Sequence, residues 1–107
     1  MEFSYGQGEY IEGERRLKGK IILSEHKLYL KDGNIDLPQT YIPLEKIKRV
    51  KRTRQGVEVF TRPSLYSQFK ALFKGERRYL EELVHDIVRR RGLKKKFLSN
   101  EWADTGS

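Results

Sequence analysis

Most of the chain alternates apolar and polar residues with a period of two, and only toward its C-terminal end does the period lengthen to that of a helix. The stretch "KGKIILSEHKLYLKDG" holds two β-rich runs, residues 21–23 and 28–30, joined by "SEHK" and closed by Asp32-Gly33, a strong turn signal. A hairpin is predicted there. In "NIDLPQTYIPL", Ile35 and Leu37 alternate until Pro38 breaks the run; Tyr41, Ile42 and Leu44 then begin another short strand, which Pro43 marks as an edge or a kink. "VEVFTR" sets Val57 and Val59 on one face. "SQFKALFK" sets Phe69, Ala71 and Phe73 on one face with Lys70 and Lys74 on the other, and "PSLY" carries the turn of this second hairpin. The N-terminal "EYIEGERRL" supplies a further strand.

From residue 76 to 91, Leu80, Leu83, Val84 and Ile87 fall at i, i+3, i+4 and i+7, the stripe of a helix packed on something apolar. Gly92 is placed to act as its left-handed C-terminal cap, and three arginines occupy the last turn, where cations suit the helix dipole. The predicted fold is therefore mainly β with one C-terminal α-helix. Strands with one apolar face need a cover, and a single striped helix can supply it. Leu80, Leu83, Val84 and Ile87 are expected to meet Phe69, Phe73, Ile21, Leu23, Leu28, Leu30, Val57 and Val59.

At "GKIILSEHKLYLKDG" followed by "YIPLEKIKRV" the chain resembles the pleckstrin-homology-like superfold, especially its GRAM and bacterial PH branches, over roughly residues 9–92. The resemblance implies a bent β-sandwich or partly open barrel with the helix plugging one end. It also implies a head-group site at "RRLKGK", where Arg15, Arg16, Lys18 and Lys20 supply the charge. The long variable loop of the phosphoinositide binders is missing at this point, and Lys18-Gly19 leaves room only for a tight turn. Residues 1–92 are read as one domain, and 93–107 as a basic then polar tail, partly disordered, that carries Phe97, Leu98 and Trp102.

Charge sharpens the picture. The net charge of +8 is uneven: residues 1–45 hold six basic and eight acidic residues, and residues 46–107 hold seventeen and seven. Such a balance favours a polyanionic partner. Two runs carry most of it. "EKIKRVKRTR" contributes Lys48, Arg49, Lys51, Arg52 and Arg54 around inward-pointing Ile47 and Val50, and "RRRGLKKK" contributes Arg89, Arg90, Arg91, Lys94, Lys95 and Lys96. With the four residues of "RRLKGK" these form the candidate anion-binding patch. A solvated strand face that deters edge-to-edge aggregation is the competing reading of the first run.

Candidate chemistry changes little. The chain has no cysteine, and its two histidines, His26 and His85, have no ligand partners at metal-site spacing, so no metal and no cofactor is implied. "EHK" at residues 25–27 lacks the upstream acidic partner of a nuclease site. The N-terminus has no signal-peptide character, and the longest apolar run, "IIL", is far short of a membrane span. The expectation is a cytoplasmic, non-catalytic binding module, peripheral at the inner face of the membrane. Its ligand is an anionic membrane surface or a protein partner. The alternative is a nucleic-acid-binding protein using the same cations, which ranks lower because neither run interleaves aromatic residues or carries a helix-turn-helix or zinc-finger pattern.

Overall fold

The computed structural model describes the backbone of residues 2–64, 67–92, 94–95 and 102–104, with side chains for 2–62 and 69–92. Seven antiparallel strands are followed by one helix: β1 Phe3–Glu12, β2 Arg15–Leu23, β3 Lys27–Asp32, β4 Ile35–Pro43, β5 Ile47–Arg52, β6 Val57–Ser64, β7 Ser67–Gly75 and α1 Arg77–Arg91. A 3-10 turn, Leu44–Lys46, leads into β5. Two short strands, β8 Lys94–Lys95 and β9 Trp102–Asp104, complete the sheet, whose order is β4-β3-β2-β1-β7-β6-β5-β9-β8. Among the described residues no helix is long and apolar enough to cross a membrane.

The sheet closes over its own inner face. Tyr10, Leu23, Leu30, Ile42, Ile47, Val59 and Phe73, one from each of the seven long strands, belong to one buried cluster, and Leu80, Leu83 and Ile87 of α1 complete it. A flat sheet could not bring these residues together. Bending is eased where Gly19, Gly8 and Gly75 stand in one row across β2, β1 and β7. A Cβ at Gly8 would collide with the carbonyl oxygen of Lys74, so this close approach needs glycine.

The predicted hairpins form, with β2 pairing β3 and β6 pairing β7; the centre of the expected turn "PSLY", residues 65–66, lies outside the described residues. The helix stripe faces the core as expected, although Val84 and Phe69 sit half-buried at its margin. Gly92 closes the helix at φ 66° and ψ 33°, with its N–H on the Arg89 carbonyl. The topology is compatible with the pleckstrin-homology-like arrangement.

Three local expectations are corrected. "EYIEGERRL" is not one strand: it turns at Gly13-Glu14, pairing Glu12 of β1 with Arg15 of β2. Consequently Lys18-Gly19 is not a tight turn but the middle of β2, with Gly19 packed against the Lys31 carbonyl. Pro38 does not end its strand either. β4 runs through it with a register shift, and the Thr40 hydroxyl accepts from the Leu30 N–H at 2.8 Å while donating to the Leu37 carbonyl at 2.7 Å. A side chain thus fills the gap in the ladder, and Thr40 is fully buried.

Helix and sheet are joined by polar contacts as well as apolar ones. The Tyr5 hydroxyl donates to Asp86 at 2.6 Å, and burial, with that carboxylate beside it, pushes the phenol well above its usual range. Along the helix, Arg77 meets Glu81 at i,i+4 spacing, Arg78 turns to Glu76, and Arg89 meets Asp86 at i,i+3.

Candidate anion-binding face

The run "EKIKRVKRTR" contains a geometric conflict. Ile47 and Val50 are three residues apart, which a period-two strand cannot place on one face. The chain resolves it with a bulge between Ile47 and Arg49, so that both apolar residues are fully buried while Lys48 and Arg49 are exposed. Lys51 stands opposite Glu58 on β6. Arg49 places its guanidinium 5.8 Å from the Phe60 ring.

Other predicted cations are already engaged. Arg52 donates to Glu81 at 2.8 Å, Arg90 to the Ser24 carbonyl at 2.7 Å and Arg91 to the Ile47 carbonyl at 3.1 Å. Arg90 also lies over Phe3. These contacts hold α1 against the β2–β3 turn and the start of β5. Arg54 is exposed in the turn after β5, and Arg89 pairs with Asp86. An open cleft of about 500 Å³ lies between that turn and the start of α1, lined in part by Arg52, Arg54, Arg77 and Leu80.

The two basic runs come together in the sheet. Asp104 of β9 is opposite Arg49 on one side and Lys94 on the other, and Ala103 stands between Val50 and Lys95. Lys96 and the tail residues Phe97 and Leu98 lie outside the described residues, as does the side chain of Trp102.

The "RRLKGK" cations are on β2, separated from β5 by β1, β7 and β6. Arg15 is 3.9 Å from Glu12. Arg16, Lys18 and Lys20 are exposed and alternate with Leu17, Gly19 and Ile21, so they project from the outer face of the sheet. That same face continues through residues absent from the predicted patch. Arg16 is opposite Ile11, Ile11 opposite Leu72, Leu72 opposite Glu58 and Glu58 opposite Lys51, forming one row from β2 to β5. Flanking rows carry Lys18, Glu9 and Lys74, and Lys70, Phe60 and Arg49. Alternation along "FKALFK" already put Lys70 and Lys74 opposite the core. Only the pairing of β7 with β1 and β6 puts them beside the other cations.

The outer face therefore interleaves an aromatic ring with cations across strands, although neither run does so along the chain. Ile11, Leu72 and Phe60 are half-buried, and two carboxylates, Glu9 and Glu58, share the face; Glu58 is 3.3 Å from Lys70. His26 and His85 are both exposed, and the described residues contain no group of three or more His, Asp or Glu suited to a metal. Comparison with known proteins finds no matching family model, no matching curated protein and no matching solved structure.

Proposed function

We propose that this chain is a non-catalytic binding module of the pleckstrin-homology-like kind that docks on an anionic membrane surface. The fold reading is supported by the order of its elements, seven antiparallel strands and then a single helix packed on the sheet. The observation that carries the functional reading is the cross-strand assembly of cations from β2, β7 and β5 on one outer face, with Lys94 and Lys95 at the adjoining edge. Each cation near an anionic bilayer contributes about 1 kcal/mol, so several on one face suffice for peripheral binding.

The test is a paired titration. Vesicles of phosphatidylcholine with phosphatidylglycerol, and separately duplex DNA, are titrated with the protein over the same salt range. Vesicle binding is expected to persist at salt where DNA binding has faded, and Lys48→Glu with Lys51→Glu should remove most of it. These positions avoid Arg52, whose reversal would break its ion pair with Glu81 on the helix; because Lys51 stands opposite Glu58, the thermal transition of the variant is checked beside its binding. DNA binding that outlasts vesicle binding as salt rises, with a slope set by phosphate contacts, would replace this reading with nucleic-acid recognition.

A further inference from the structure

We infer, resting on the membrane reading above, that the module docks through the convex outer face of β2, β1, β7, β6 and β5 and responds to surface charge density, not to one headgroup. Arg16, Lys18, Lys70, Lys74, Arg49 and Lys51 present the charge. They sit on β2, β7 and β5, the first, third and fifth of five consecutive strands in sheet order, and the outermost are about 19 Å apart along the bent sheet at the usual strand spacing. That span exceeds a single lipid headgroup, so one ligand cannot collect these charges, whereas a field of headgroups can.

Charge and shape agree. Among the residues whose side chains are described, the six cations share this face with two carboxylates, Glu9 and Glu58, and the excess is positive. The cleft lined by Arg52, Arg54 and Arg77 takes in none of the six, so no described concavity gathers them around one phosphate. Ile11, Leu72 and Phe60 lie between the cations at half burial, which suits contact with the headgroup layer and not deep insertion. Helix α1 contributes to the core on the opposite side of these strands, so in this orientation it points away from the bilayer.

The experiment compares two sets of substitutions that remove the same net charge. Lys18→Gln, Lys70→Gln and Lys74→Gln together should weaken partition into phosphatidylglycerol vesicles on the order of a hundredfold, at about fivefold per cation. Arg77→Gln, Arg78→Gln and Arg89→Gln together, all on the helix, should weaken it by no more than about fivefold. Wild-type partition should be the same for phosphatidylglycerol and phosphatidylserine at equal anionic content, and soluble inositol hexakisphosphate should compete no better than its charge predicts.

Should the first set unfold the protein, the natural absence of cysteine offers a second measurement. A polarity-sensitive dye on Lys74→Cys should shift on vesicle binding, and the same dye on His85→Cys should not. Equal losses from the two sets, equal dye responses, or a strong preference for one headgroup would each overturn face-on docking while leaving membrane binding itself in place. Failure of the wild-type protein to bind any anionic vesicle would remove the membrane reading and this inference together.

Discussion

The outer surface of the sheet has two halves that begin from the same alternation of residues and end differently. Over β3, β4 and the C-terminal end of β2, the outward residues Ile22 and Tyr29 are opposite one another and almost fully buried, although neither belongs to the central core. They are covered from outside. Tyr41 meets the Tyr29 ring edge-on at 5.4 Å, the Lys27 ammonium sits 3.9 Å from the Tyr41 ring, and Glu2 receives the Tyr29 hydroxyl at 2.6 Å and Lys31 at 3.3 Å. Over β1, β7, β6 and β5, the corresponding positions hold Ile11, Leu72 and Phe60, only half-buried, with cations in excess of carboxylates. One half is closed by its own side chains into a second small core. The other keeps its apolar residues at half burial. The difference arises from what stands beside each apolar residue: tyrosines and matched charges in the first case, mostly lysine and arginine in the second.

The strongest way to break this comparison is to remove what both halves share. Leu83 is fully buried at the centre of the helix stripe. Leu83→Glu would bury a carboxylate without a partner and cost several kcal/mol, a large part of the stability of a domain this size. Loss of the cooperative thermal transition is expected, and both outer surfaces should disappear with it. A variant that melts like the wild type would mean that α1 does not cover the sheet.

A sharper test separates the halves. Tyr29→Ala should cost about 3 kcal/mol, as truncation of a buried aromatic does, while leaving vesicle affinity of the folded fraction unchanged. Phe60→Ala should cost about 1 kcal/mol, since less apolar area leaves the interior, and it should weaken vesicle binding. Denaturant midpoints and vesicle partition measured on both variants decide the matter. The same stability loss in both would erase the distinction between a closed and an open half.

Much of the inner face could be read from local spacing, because strand alternation and the helix stripe concern neighbours in the chain. Leu83, Ile87, Val57, Val59 and Phe73 are inside for that reason, and Gly92 caps the helix as its position requires. β1 was harder to read. "MEFSYGQGEY" has few aliphatic residues, and the inward role of Tyr5 and Tyr10 depends on a bulge at Gly6 and on distant partners in β7 and α1. The candidate site suffered most from the same non-locality. Runs along the chain single out residues 48–54 and 89–96, whereas the outer face is built across strands. Lys70 and Lys74 join it through pairings that no local pattern encodes, while Arg52, Arg90 and Arg91, prominent in the runs, are drawn away to Glu81, Ser24 and Ile47.

The smallest expected effect concerns the closure of the first half by Glu2. The hydroxyl of Tyr29 and then the ammonium of Lys31 stabilise the Glu2 carboxylate and hold its pKa below the ordinary 4.5. Between the folded and ordinary values the unfolded chain binds more protons than the folded one, so stability rises with pH through that window. The contribution is present in full above the ordinary value and is lost as pH falls through the folded one. Its size is limited because Glu2 is exposed and solvent screens the contact. Tyr29 does not blur this window, since burial and its contact with Glu2 raise its own pKa and keep it protonated as a donor. Denaturant midpoints of the wild type and Glu2→Gln should therefore differ slightly at neutral pH and converge in acid. A gap that stays constant into acid would show that the charge of Glu2 does not help to close this half, and that Tyr29 is held there by packing alone.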